Sequence, residues 1–128
     1  MINRIHRFHG HNSLRYVYQN GQTVRSSQMA LKYVLNTRRT QYRLAIVISK
    51  KVTKSAVKRN KMRRRIYEQV RLREAEIKKP YDLVVTVFHD QLLEIKSTEL
   101  QRLIDSQLHQ AGIIGSTTAQ SDPPRGKI

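Results

Sequence analysis

Apolar residues recur along the chain in blocks whose period changes, and those changes outline the elements. Leu14, Val17 and Tyr18 stand at helical spacing behind two N-cap candidates, Asn12 and Ser13, and Gly21 closes the block. This predicts a short first helix. Over residues 22–36, Met29, Leu31, Tyr33 and Leu35 fall on one face at period two, with Gln28 and Lys32 on the other, which predicts one or two strands. Residues 36–41 are polar and turn-like, and residues 44–48 form a continuous apolar run rich in β-branched side chains, read as a buried central strand. Residues 55–78 contain no Gly or Pro, and Met62, Ile66, Val70 and Ile77 recur at helical intervals, so one long helix ended by Pro80 is expected. Residues 82–88 read as a second buried strand. Leu100, Leu103, Ile104 and Leu108 define a last amphipathic helix, begun at Ser97 and stopped by Gly112.

The order helix, two or three strands, long helix, strand, helix implies an α+β fold, a two-layer sandwich of helices on a small mixed sheet of about four strands. The general rule for strand, helix, strand crossovers would make this one right-handed. At 128 residues and 15.0 kDa the chain suits one domain, placed at residues 1–114, and the Ser, Thr, Gly and Pro content of residues 115–128 predicts a disordered tail. Cysteine is absent, which excludes disulfide scaffolds, thiol nucleophiles and thiolate metal sites. No run approaches the length of a membrane span and the first residues lack the apolar block of a secretory signal, so a soluble, cytoplasmic protein is expected.

Charge changes the picture most. The chain carries a formal net charge of +16, and no acidic residue precedes Glu68, so nearly all the excess lies in the first half. A folded domain that tolerates this self-repulsion is suited to a polyanion, because Lys and Arg on phosphates release condensed counterions. The densest stretch opens the predicted long helix. At about 100° per residue, Lys54, Lys58, Lys61 and Arg65 share a stripe about 60° wide, apart from the sector of Met62, Ile66 and Val70. Arg59 projects into the apolar sector and Arg63 borders it, positions that point to arginines fixed towards a ligand. Arginine can fork two hydrogen bonds onto a phosphate, and Asn60 offers a donor and an acceptor to a base edge or a 2′-hydroxyl. The alternatives are a solvated charged face or a tract read as an import signal.

Arg59-Asn60-Lys61-Met62-Arg63-Arg64 is similar to the Arg-Asn-Arg motif of the bacterial ribonuclease P protein family, whose basic helix follows a strand ending in Ser or Ala, Lys, Lys. Here that strand runs into Ser49-Lys50-Lys51, and the resemblance spans residues 3–111. It implies a protein helper for a catalytic RNA that removes 5′ leaders from precursor tRNA. On that resemblance Lys54, Lys58, Arg59, Asn60, Lys61, Arg63, Arg64 and Arg65 dock the RNA subunit. Leu14, Tyr18, Tyr33, Arg43, Lys50 and Lys51 meet the leader or the precursor; the leader lies in a cleft between the first helix and the sheet, and Lys50 and Lys51 stand at the sheet end between the two RNAs. The resemblance further implies a left-handed crossover in the ribosomal-protein-like manner, Mg²⁺ held mainly by the RNA with none bound tightly by the protein, no catalytic residue in the protein, and a monomer when the protein is alone.

Several positions depart from the family's pattern. The third motif member is Lys61, which keeps the charge without the bidentate fork. Leu14 stands where a cleft aromatic is expected, Tyr18 where Phe is usual, and Tyr67 where a further basic residue is common. Tyr33 is one position away from the expected strand aromatic, an offset that turns a side chain to the other face of a strand. Tyr18 could stack on a base or pack in the core, and both readings stay open here.

His6, His9 and His11 have no acidic companion, and His89-Asp90 lacks the several carboxylates a protein-centred nuclease would place around metal ions, so no metal site is assigned. A structural protein of a larger RNA assembly is the rival reading. A DNA binder lacks a helix-turn-helix or a dimer element.

Overall fold

The computed structural model describes residues 11–114, with side chains from Leu14 onward. The expected tail at residues 115–128, His6 and His9, and the side chains of His11, Asn12 and Ser13 lie outside that description. Seven elements follow in the order expected: α1 (His11–Asn20), β1 (Gln22–Arg25), β2 (Met29–Leu35), β3 (Arg43–Ile48), α2 (Ala56–Arg71), β4 (Tyr81–Val87) and α3 (Ser97–Gln110). Two short 3-10 turns, Glu74–Glu76 and Asp90–Leu93, lead into β4 and α3.

The sheet is mixed, with strand order β1-β2-β4-β3. β1 with β2 and β2 with β4 are antiparallel, while β3 runs parallel to β4, the two joined through α2. β3 is therefore an edge strand, and the expectation of a central one is corrected. Its apolar run reflects cover on both faces. Leu44, Ile46 and Ile48 join the main core, whereas Ala45 and Val47 join a separate cluster on the other face. An edge strand covered twice has the same composition as a central strand.

Side-chain alternation sorts the two faces. On one, Met29, Leu31, Leu44, Ile46, Leu83 and Val85 meet Met62, Ile66 and Val70 of α2 and Leu100, Ile104 and Leu108 of α3. This is the helix-on-sheet packing the periodicity anticipates, although α1 adds cover on the other face, which the expected two layers did not include. Each such side chain, fully buried, contributes about 1.5–3 kcal/mol of transfer free energy. Gln107 adds a polar tie, its Nε2 donating to the Met29 carbonyl at 3.0 Å. On the opposite face α1 lies across the sheet, Val17 fully buried against Ala45 and Val84 with Leu14, Val34 and Val47 around it. Gly21 makes this docking possible. A Cβ there would sit 2.5 Å from the Val17 carbonyl oxygen and 2.9 Å from that of Tyr33, and neither backbone atom can step aside.

The long helix ends at Arg71, earlier than the expected residue 78, although no Gly or Pro interrupts it. Tertiary contacts supply the stop. Arg73 forks onto Asp105 of α3 at 2.7 and 2.8 Å, the Tyr42 hydroxyl donates to Glu74 at 2.9 Å, and the turn delivers Ile77 into the main core. Ser97 is the first residue of α3, as expected, with Lys96 as its N-cap.

Candidate nucleic-acid interface

The cationic surface begins where β3 leaves the sheet. Lys50 and Lys51 stand exposed on the turn after the strand, which is closed by the Val52 amide on the Ser49 carbonyl at 3.1 Å and the Lys51 amide on Ser49 Oγ at 3.2 Å. Ser55 then caps α2, its hydroxyl accepting from the Lys58 amide at 3.2 Å. The first turn of α2 holds no acidic residue, so cations gather at the end of the helix where its dipole is also positive. That arrangement works against the isolated fold and favours a bound anion.

The motif residues divide by what they touch. Lys54, Lys58, Asn60, Lys61 and Arg64 are exposed. Arg59 is half-buried and donates through Nη1 to the Thr53 carbonyl at 2.9 Å, pinning the strand-to-helix turn while keeping most of its five donors. Arg63 donates to Asn60 Oδ1 at 2.8 Å, one turn back on the same helix. Both arginines are thus held in place by the chain itself. Arg65 is different. Its guanidinium lies inward and donates to the carbonyls of Leu92 and Ile95, clamping the turn before α3 to α2. Helical spacing put Arg65 in the docking stripe; its contacts give it to the fold, because a long side chain can leave its helical sector to satisfy buried carbonyls.

The face of the sheet that carries α1 has its own layout. Tyr18 is 45 % exposed and Tyr16 is 51 % exposed, so Tyr18 is not a core residue. Leu14 is half-buried in the α1 cluster and serves packing. Tyr33 is not brought to this face. It pairs with Gln22 and Leu83, lies against the main core beneath α2 and α3, meets Tyr81 edge-on with ring centroids 6.3 Å apart, and donates from its hydroxyl to Gln22 at 3.0 Å. Burial and the neighbouring Tyr81 raise its pKa. Tyr33 therefore lies on the face opposite α1, and the expectation that it lines a cleft between the first helix and the sheet is corrected.

Arg43 does point to the α1 face, where its fork is engaged. Nε and Nη2 donate to the two oxygens of Asp82 at 2.9 Å each, Asn36 Nδ2 donates to the same carboxylate at 2.9 Å, and the arginine and aspartate side chains are only 11 % and 3 % exposed. This is a buried, bidentate pair that ties β3 to β4. A cavity of about 470 Å³ opens above it, lined by Tyr16, Asn36, Arg38, Arg43 and Asp82.

Four residues that sequence reasoning passed over share this face: Thr23, Arg25, Lys32 and Thr86. The Arg25 guanidinium lies 5.0 Å from the centre of the Phe88 ring, a cation–π contact at the far end of the sheet. The sequence signals for them are the alternation that sets Lys32 opposite Leu31 and Tyr33, and Thr86, a polar residue inside an otherwise apolar strand. Among the described residues no three His, Asp or Glu side chains gather as a metal site, and no helix is long and apolar enough to cross a membrane.

Fold and charge together define a class: a small α+β protein with an exposed, acid-free cationic helix start and an adjoining basic strand-end turn. Comparison with known proteins makes this specific. The family model described as Ribonuclease P matches residues 2–112. The chain is 32 % identical over 123 residues to the "Ribonuclease P protein component" of Chloroflexus aurantiacus, covering 96 % of this chain and 90 % of that protein. The component of a Roseiflexus species is 32 % identical over 122 residues, covering 94 % and 98 %. Among solved structures, the fold matches the Staphylococcus aureus RNase P protein with TM-score 0.76 at 24 % identity, over 86 % of this chain and 98 % of that one. It matches the Thermotoga maritima RNase P protein with TM-score 0.63 at 21 % identity, over 80 % and 92 %. The chain belongs to the ribonuclease P protein family, the protein component of that endoribonuclease.

Proposed function

We propose that this chain binds the catalytic RNA of ribonuclease P through α2 and the 5′ leader of precursor tRNA across the α1 face, promoting Mg²⁺-dependent removal of the leader. The observation that carries the reading is the acid-free cationic start of α2, with Lys54, Lys58, Lys61 and Arg64 exposed and Arg59 and Arg63 held by the chain. Docking of the RNA subunit falls to these residues and Asn60. Lys50 and Lys51, at the adjoining strand end, lie between the two RNAs. Tyr18 offers the leader an exposed ring, and stacking on it suits any base. The protein contributes no catalytic group. Mg²⁺ on the RNA performs the hydrolysis, and neutralised phosphates strengthen precursor binding and lower the Mg²⁺ needed. The setting is the cytoplasm, and the protein alone is a monomer.

The test is cleavage of a 5′-extended precursor tRNA by the cognate RNA subunit at low Mg²⁺ and near-physiological salt. The protein should restore correct 5′ processing and should cut nothing alone. Lys58→Glu with Lys61→Glu should abolish assembly with the RNA subunit while thermal stability holds level or rises, since both side chains are exposed and negative charge suits the start of a helix. Intact assembly of that double variant would refute the docking surface, and failure to restore cleavage despite tight RNA binding would favour a structural RNA-binding role.

A further inference from the structure

Beside the cationic stripe, a cavity of about 360 Å³ separates the middle of α2 from the first turn of α3, lined by Arg64, Arg65, Glu68, Gln69 and Ser97. Gln69 is the unusual member. Only 8 % exposed, it holds its Oε1 in the interior with no hydrogen-bond partner. A buried amide left unpaired costs about 1–3 kcal/mol, and such groups are rare unless something absent from the folded chain completes them. Across the cavity, α3 opens on Lys96 with no side-chain cap, and among the described residues the Ser97 and Thr98 amides have no acceptor. Arg64 is exposed beside them and has no partner among the described residues.

The remaining lining groups are already committed. Arg65 donates to the Leu92 and Ile95 carbonyls. The Glu68 carboxylate takes both arms of Arg71, whose hydrogen bonds lower its pKa to about 2, so it stays ionised and paired within α2. What the cavity leaves unsatisfied is therefore one cation, the positive end of a helix, a serine hydroxyl and one buried amide oxygen.

We propose that this cavity is a ribose-phosphate pocket that extends RNA docking from α2 to α3, a reading that rests on the RNA-binding role above. A phosphodiester accepts from the α3 amides and from Arg64. The adjacent 2′-hydroxyl donates to Gln69. A free phosphate would leave the buried acceptor unmet, and DNA lacks the hydroxyl, so the combination selects RNA.

Two substitutions separate this role from a structural one. Gln69→Leu removes the unpaired amide at similar volume, so thermal stability should stay level or rise while affinity of the full-length protein for ribonuclease P RNA falls about fivefold to twentyfold. The salt dependence should not change, because no charge is lost. Ser97→Pro removes one first-turn amide at the helix position where proline is best accommodated, and should weaken RNA binding with the fold intact. Hydroxyl-radical footprinting should show one protected ribose segment exposed in both variants.

Lys58→Glu with Lys61→Glu serves as the reference. If it abolishes binding while Gln69→Leu and Ser97→Pro bind as the wild type, the pocket is refuted and the docking helix stands. If none of the three affects binding, both readings fall. If inorganic phosphate, followed by NMR at the Ser97 and Thr98 amides, saturates the cavity while Gln69→Leu leaves RNA affinity unchanged, the cavity is an anion site and the ribose assignment is overturned.

Discussion

Removing the Arg43 guanidinium would isolate a carboxylate that the fold has almost completely enclosed. Asp82 is 3 % exposed at the side chain, receives two hydrogen bonds from Arg43, and would retain only the neutral amide of Asn36. Breaking one side of such a pair costs about 3–5 kcal/mol, against a total stability of about 5–15 kcal/mol for a domain of this kind. At roughly 4–8 °C per kcal/mol, a loss of about 3 kcal/mol lowers the melting temperature of Arg43→Met by roughly 12–24 °C. The double variant Arg43→Met with Asp82→Leu removes both charges, so most of the loss should return, and the coupling shows in a double-mutant cycle. Urea or thermal denaturation of the three variants provides the measurement. A loss under about 1 kcal/mol for Arg43→Met, together with weakened precursor-tRNA binding, would refute the structural role and return Arg43 to the leader.

Three further outcomes are expected. Arg65→Ala should cost about 2–3 kcal/mol by orphaning the Leu92 and Ile95 carbonyls, and hydrogen exchange should quicken over residues 90–96 before it changes elsewhere. Gly21→Ala should cost about 1–3 kcal/mol by pushing α1 off the sheet, and a melting curve matching the wild type would contradict the close approach at Val17 and Tyr33. Tyr42 is buried, and burial with its bond to Glu74 raises its pKa far above the ordinary value of 10.0. Its contribution is therefore complete below about pH 10 and declines above that as the unfolded chain alone ionises, by about 1.4 kcal/mol per pH unit. Tyr42→Phe should remove that component of the alkaline slope in denaturation curves.

Much of this protein is decided locally. The period of the apolar residues places all three helices and the strands, because burial on one face imposes its own spacing on any element. The cationic start of α2 is equally local, since Ser55 and the residues after it form one helical turn after another and point outward by default. The family resemblance rests on that same contiguous stretch, which is why it emerges from residues 43–64 alone.

Long-range pairing decides the rest. Whether β3 is central or an edge, where α2 stops and which face Tyr33 takes depend on partners up to dozens of residues away: β4 and α1 for β3, Asp105 for Arg73, Gln22 and Leu83 for Tyr33. Arg43 and Arg65 carry the same lesson for the candidate site. Their charge and spacing suit RNA, but Asp82 and the carbonyls of Leu92 and Ile95 claim them, and a side chain's partner is a property of the assembled fold. Gln69 shows the converse: its sequence position marks it as an ordinary helical polar residue, and only the packing of α2 against the start of α3 leaves its amide buried and unpaired beside a cavity.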